Sequence, residues 1–554
     1  MGVPRALAGL GAAVTELKPR RRALPGDLGA GVTLAVALLP DGMAAAVLAG
    51  VNPVHGLFAS MFGPVVGALT TGSTFMTVAS TAALALGVGE ALRGKGGVAG
   101  LVTLTVLIGL FQIVAGVFRL GRLTRYVSAA VMTGFLTGLG VLIVLGQLGD
   151  VTGFESSAHG RLAQLFDLVR HPSGIDPATA LVAAVTIAGI VGLERTRLRP
   201  LAMMAPLIVV TIALHLLDWR SVRLVGDVPR AVPSPMLPSP GLVLDLALPA
   251  LGLAVIGLVQ GAGVSDANPN PQGKPASTSR DFFGQGVANL VCGLFRGLPV
   301  GGSMSASALE VSAGANSRWA NIIAGLLAGA AMLALGGVVG QLPLAGLGGL
   351  LVLAGFRALD FRRFLTVIRC GWPSAVVMLI TLIATLVLPL QRAVAVGVGV
   401  SFLLHVFRSV EKLRLREIVM TGGLPEERPA PRELPSDSVT ILLPYGSLFF
   451  AAAHALADAL PRVGEARRPV VLLLLRGRQD LGVTFIRVIT RYAHALRANG
   501  GQLMLVGASD HVVRQLRRTG ALDELGASNV FAATARYGEA FLIAHEAAES
   551  RLRP

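Results

Sequence analysis

The sequence predicts a polytopic α-helical membrane protein, fourteen segments in a seven-plus-seven inverted arrangement, followed by a small cytoplasmic α/β domain. Three observations carry that prediction. Apolar residues make up 53% of the 554 residues and charged ones only 14%, where a soluble chain carries roughly 25% charged. From Asp27 to about Arg408, apolar stretches alternate with short polar or basic connectors. After Arg416 the pattern changes to short apolar runs between amphipathic ones.

Taken in order, the apolar segments fall at about 27–49, 53–70, 74–92, 97–118, 126–148, 177–193, 200–217, 243–263, 282–296, 300–314, 319–340, 342–358, 373–390 and 391–409. Several are shorter than the ~20 residues needed to cross a bilayer as helix. The third and the tenth are among them, and both are interrupted by Gly, Pro, Ser or Thr. Residues 74–84 read TFMTVASTAAL, and residues 297–309 read GLPVGGSMSASAL. Irregular backbone at membrane depth survives only where it is buried in protein or lines a cavity. Paired interruptions at the same place in each run of seven point to a binding site at the interface of inverted repeats. An odd number of segments per half forces the two halves into opposite orientation.

Basic residues orient the chain. Connectors expected inside carry Arg119, Arg122 and Arg125, then Arg195, Arg197 and Arg199, then Lys274 and Arg280, then Arg357, Arg362, Arg363 and Arg369. The stretch leaving the last segment carries Arg408, Lys412, Arg414 and Arg416, against Arg93, Lys95, Arg220 and Arg223 outside. This bias places both termini in the cytoplasm. It also accounts for much of the net charge of +16, so nucleic acid is excluded as a partner. The first 26 residues, with KPRRR but without a signal-peptide core, read as a cytoplasmic leader.

Residues 411–436 read as a Pro- and Glu-rich linker between a transport domain at 27–410 and a domain at 437–554. In the latter, VTILLPY, PVVLLLL, GQLMLVG and NVFAA alternate with helical patterns near 449–462, 484–499, 509–519 and 537–549. Strands alternating with helices predict a largely buried sheet.

The chemistry is sparse. Two cysteines, Cys292 and Cys370, and nine scattered histidines form no disulfide framework and no metal-ligand spacing. No phosphate-binding G-x-x-x-x-G-K-[ST] loop occurs, and no nucleophile–base arrangement marks an enzyme. Neither metal nor cofactor is expected. What remains is an anion site between two half-helices. A helix N-terminus offers unpaired N–H groups and roughly half a positive charge. Small residues let backbone approach a ligand closely. Ala79, Ser80, Thr81 and Ala82 on one side, with Gly302, Ser303, Met304 and Ser305 on the other, have that character. The competing explanation is that small residues merely permit tight helix packing.

The run AGVTLAVALLPDGMAAAVLAGVNPVHGLFASMFGPVVGAL and the later SRDFFGQGVANLVCGLFRGLPVGGSMSAS resemble the sulfate permease (SulP) family of anion transporters. The C-terminal part resembles the STAS domain that follows the membrane part in that family. The resemblance implies a core of segments 1–4 and 8–11, a gate of segments 5–7 and 12–14, and an anion between half-helices 3 and 10. It also implies a homodimer in the plasma membrane. Small oxyanions, bicarbonate, halides and dicarboxylates all suit such a site, moved by alternating access with sodium or a proton as the coupled ion.

Departures from the family pattern are informative. Ala306 stands where many relatives carry Arg, and Gln260 stands where many bacterial relatives carry a coupling carboxylate. A neutral amide donates to an anion but binds no proton at physiological pH. That loss leaves an uncoupled channel as the alternative to a transporter. Asp41, after Pro40 in the first segment, is the compensating candidate for coupling; the alternative is an aspartate that caps backbone broken by Pro40 or lies near the aqueous end. His55 reads as a helix-start packing residue, and Glu90 and Glu310 as structural or solvated. In the STAS-like domain Gly482 occupies the phosphoacceptor position of signalling relatives, with Thr484 a weak substitute. A membrane-tethered signalling module is therefore the least favoured reading.

Overall fold

The computed structural model describes residues 23–553 apart from short stretches, the longest being 122–127, 227–231 and 271–276. Most of the expected leader lies outside the described residues, as do Lys95, Arg122, Arg125, Arg197, Arg199, Arg220, Lys274 and Lys412. The chain divides into two compact units at Ser401/Phe402.

A helix stands at each of the fourteen expected segments, the last of them running past the Ser401/Phe402 boundary. Spans 1 to 4 are Leu24–Leu48, Val54–Thr70, Ala82–Ala91 and Gly97–Val117; spans 5 to 7 are Ala129–Gly146, Pro177–Glu194 and Met204–Leu217. The second half repeats the series as Val243–Ala267, Thr278–Leu294, Met304–Ser312, Trp319–Val339, Leu344–Ala358, Trp372–Val387 and Leu390–Glu411. Six described helices are both long and apolar enough to cross a bilayer. Half-helices 3 and 10 are the shortest of the fourteen, at 10 and 9 residues, as interrupted segments require.

The packing is symmetric under a shift of seven spans. Span 1 packs on 11 as 8 packs on 4; span 2 packs on 11 as 9 packs on 4; span 5 packs on 13 as 12 packs on 6. Spans 1–4 and 8–11 thus form one bundle, and spans 5–7 with 12 and 13 a second. Glycine makes the closest crossings, since lipid supplies no hydrophobic drive and contact must come from packing. A Cβ on Gly109 of span 4 would stand 2.7 Å from the Gly286 carbonyl of span 9, and the reverse substitution meets the Gly109 carbonyl at 2.7 Å.

Pro40 does not break the first span, which runs unbroken from Leu24 to Leu48. The expected gap in the backbone, and with it a capping role for Asp41, is absent. Neighbouring turns on a helix this well packed hold the segment together around the one lost N–H bond.

The second unit is an α/β domain. Its six-stranded sheet runs, in spatial order, Leu424–Pro429, Arg414–Thr421, Val439–Tyr445, Val470–Leu474, Gln502–Ala508 and Val530–Ala532. Strands β5 (Val439–Tyr445), β6 (Val470–Leu474), β7 (Gln502–Ala508) and β8 (Val530–Ala532) are parallel. Helices Val483–Ala498 and Glu539–Leu552 pack on the sheet. The stretch expected as linker is not irregular. Residues Arg414–Thr421 (β3) and Leu424–Pro429 (β4) form an antiparallel hairpin, and β3 pairs with β5. Charged residues and prolines along that hairpin suit an edge, where they discourage further strand pairing.

Candidate functional site

The two interruptions meet. Val78–Ala79 (β1) pairs antiparallel with Gly301–Gly302 (β2), placing Val78 opposite Gly302 and Ala79 opposite Gly301. The Ser303 N–H donates to the Thr77 carbonyl at 2.9 Å, extending the ladder by one bond. From this crossing half-helix 3 (Ala82–Ala91) and half-helix 10 (Met304–Ser312) depart.

Each helix start carries a hydroxyl cap. Thr81 Oγ1 accepts the Leu84 N–H at 3.4 Å and Ser303 Oγ accepts the Ala306 N–H at 3.3 Å. Those caps leave the N–H groups of Ala82, Ala83, Met304 and Ser305 without an intrahelical acceptor, as at any helix start. Thr81 Oγ1 also donates to Gln260 Oε1 at 3.1 Å. This bond orients the amide of span 8, and its Nε2 donors meet no acceptor among the described residues. Ser80 Oγ is buried and likewise has no partner among the described residues. A buried unpaired hydroxyl is costly unless something else accepts or donates there.

The remaining candidates divide by exposure. Met304 is 41% exposed and Ser305 is exposed too, so half-helix 10 opens one face to a space at its start. Ala79 and Ala306 lie behind the helix ends, buried with Leu34, Leu38 and Ala324 in one apolar cluster. The position expected to bring a cation to the ligand therefore holds a methyl that packs. Gly302 is hemmed in: a Cβ there would stand 2.8 Å from the Gly261 Cα of span 8. Asp41 is partly exposed on span 1, and the Arg357 guanidinium of span 12 acts on it electrostatically.

A rack of buried amides supports the crossing. Asn289 Nδ2 donates to the Val300 carbonyl at 2.7 Å and to Gln112 Oε1 at 2.8 Å, while its Oδ1 accepts the Val300 N–H at 2.8 Å. Gln285 Oε1 accepts the Gly302 N–H at 3.2 Å. Gln285 and Asn289 belong to the GQGVAN run of span 9. The available signal was two amides four residues apart in an otherwise apolar span. Two carboxylates then fix the loops at the far ends. Asp281 accepts N–H groups from Gly72 and Ser73 at 2.8 Å and the Ser73 hydroxyl at 2.8 Å. Asp27 treats Asn316 and Ser317 in the same way, at 2.7 and 2.9 Å, and takes the Ser317 hydroxyl at 2.6 Å.

His55 keeps to packing: its Nδ1 meets the Arg296 carbonyl at 2.7 Å and its ring lies edge-on to Phe58. Glu310 is fully buried rather than solvated. Glu90 Oε2 accepts the Leu390 N–H at 3.3 Å, at the start of span 14. In the second unit Gly482 is the N-cap of helix Val483–Ala498 and offers no side-chain hydroxyl.

Two opposed half-helices, one from each half of the chain and both inside the bundle of spans 1–4 and 8–11, define a membrane transport protein. The chain belongs to the sulfate permease family, whose model matches residues 24–381, and a STAS domain model matches residues 434–536. Over 90% of its length it is 24% identical to the bicarbonate transporter BicA of Synechocystis, covering 90% of that protein. Over 71% of its length it is 28% identical to human solute carrier family 26 member 6, covering 56% of that protein. Among solved structures, the murine solute carrier 26 member A9 anion transporter superposes with a TM-score of 0.85 at 20% identity, covering 98% of this chain and 94% of that one. The transmembrane domain of BicA superposes with a TM-score of 0.60 at 24% identity, over 69% of this chain and 99% of that one.

Proposed function

We propose that this protein is a secondary active transporter of small anions, working by alternating access with the anion held between the starts of half-helices 3 and 10. One observation carries the reading: two capped helix starts adjoin a buried Ser80 hydroxyl and a Gln260 amide that have donors to spare. An anion leaving water must be met by donors or it is not bound, and two facing helix ends approximate one positive charge. The substrate class is sulfate, bicarbonate, chloride or a dicarboxylate; the family match supports sulfate and the likeness to BicA supports bicarbonate. The bundle of spans 1–4 and 8–11 carries the ligand past the other bundle. The protein works as a homodimer in the plasma membrane, with both termini and the STAS domain in the cytoplasm.

Gln260 favours a second reading, an uncoupled anion channel, because a neutral amide there cannot take a coupling proton. Asp41 restores a titratable group to the first reading. Radiolabelled uptake into proteoliposomes against a panel of anions, with and without sodium and proton gradients, separates the two. A channel passes current that ignores the cation gradient. In the same assay Ser305→Trp abolishes uptake, and normal uptake by a correctly inserted Ser305→Trp protein moves the site elsewhere. Asp41→Asn changes the pH profile of uptake; an unchanged profile removes Asp41 from coupling.

A further inference from the structure

Glu310 sits seven residues beyond the Ser303 cap with no exposed surface. Asn321 of span 11 reaches it through one nitrogen: Nδ2 lies 2.8 Å from Oε1 and 2.9 Å from Oε2. Thr77 Oγ1 donates to Oε2 at 3.0 Å, and the Thr77 N–H donates to Ser307 Oγ at 2.9 Å. Half-helix 10 thereby grips, by side chains one turn apart, the residue that leads into β1. The other half of the Asn321 amide is different. Its Oδ1 is buried and has no partner among the described residues. The charged groups that bear on Glu310 are Arg318, at the start of span 11, and Asp27 of span 1. Arg318 places its guanidinium on the carbonyls of Ala68, Thr71 and Gly72, and Asp27 is bound to the loop before span 11.

We propose that Glu310, with Asn321 and Thr77, is a proton-binding site coupled to the anion site. The proposal rests on the transporter reading above. The present bonds suit an ionised carboxylate: three donations arrive from Asn321 and Thr77, and one amide nitrogen serves both oxygens while the amide oxygen goes unused. When a proton from water forms an O–H bond on Oε1, the site gains the donor that Oδ1 lacks. A modest turn of the Asn321 amide then closes a ring, with Oε1–H donating to Oδ1 and Nδ2 donating to Oε2. Thr77 keeps its bond to Oε2. The charge of the group goes from −1 to zero, and no buried acceptor is left unpaired. A negative charge on half-helix 10 opposes an anion at its start, so the protonated form binds the anion more tightly. Thr77 passes the change to β1, and through β1 to the spacing of the two helix ends.

The test has two arms. In pH-difference infrared spectra of the purified full-length protein, Glu310→Gln removes one protonated-carboxyl band that the wild type shows. An unchanged spectrum overturns the proton site. In proteoliposomes, wild-type anion affinity rises on acidification by up to about tenfold per pH unit above the midpoint at which that band titrates and levels off below it, the limit set by one linked proton, and Glu310→Gln abolishes the rise. A lost band with an unaltered pH profile overturns the coupling. Wild-type protein that takes up no anion at any pH refutes the transporter reading, while the infrared arm still decides the proton site. Asn321→Ala keeps the carboxyl and removes its ring partner, so it moves the band's titration midpoint by about one pH unit; an unmoved midpoint overturns the ring. That variant decides the matter if Glu310→Gln fails to fold.

Discussion

Half-helices 3 and 10 are built on one backbone plan and filled with different chemistry. Both begin at a two-residue strand, both carry a hydroxyl cap, and they run for 10 and 9 residues. Counting seven residues from the caps, half-helix 3 arrives at Val88 and half-helix 10 at Glu310, and both side chains are fully buried. Val88 packs among apolar neighbours, whereas Glu310 is met by Thr77 and Asn321. The orphan hydroxyl, conversely, belongs to half-helix 3 at Ser80. The shared plan therefore gives two capped helix starts, and the departures from it are the polar groups at Ser80 and Glu310.

That contrast can be broken most severely at Val88. Val88→Glu places a carboxylate where no donors wait, and an uncompensated buried charge costs about 3–5 kcal/mol. The expected outcome is loss of folded protein in detergent by size-exclusion chromatography; a stable Val88→Glu protein means the two positions are equivalent after all. Next comes the support behind half-helix 10. Asn289→Ala orphans the Val300 N–H and carbonyl and frees the Gln112 amide, each unsatisfied group costing about 1–3 kcal/mol. Its melting temperature falls well below that of the wild type, and an unshifted melt dismisses the amide rack.

The smaller effects sharpen the comparison. Ser303→Ala loses an N-cap and about 1 kcal/mol of stability, read as a modest fall in melting temperature. Ser80→Ala leaves stability unchanged or slightly raised, because its hydroxyl has no protein partner to lose. It weakens anion binding about fivefold, close to 1 kcal/mol, as expected for one hydrogen bond. Isothermal titration with the transported anion reads that change. The reverse pattern, with Ser80→Ala destabilising and affinity intact, assigns the hydroxyl to structure.

Much of this was legible without coordinates. The segment pattern, the interruptions at 74–92 and 300–314, and the buried strands of the C-terminal unit follow from local composition. The β3–β4 hairpin was not legible, since REIVMT and LPEERP carry the Pro and Glu content of a linker; β3 owes its place to the edge of β5, and β4 pairs on β3. The fate of Ala306 and Gly302 was equally hidden. One is absorbed into an apolar cluster and the other pressed against Gly261, and neither orientation can be counted along a chain.

By itself the sequence determined that this protein crosses the membrane in two matched halves and that each half contains one broken segment. Hydropathy and helix-breaking residues act locally, so they are written where they act. Only the tertiary structure decided which polar groups share a neighbourhood. Asn289 meets Val300, Thr81 meets Gln260, and Glu310 meets Thr77 over 233 residues of sequence. A hydrogen bond depends on a few tenths of an ångström and on direction, and both are set by the packing of distant spans.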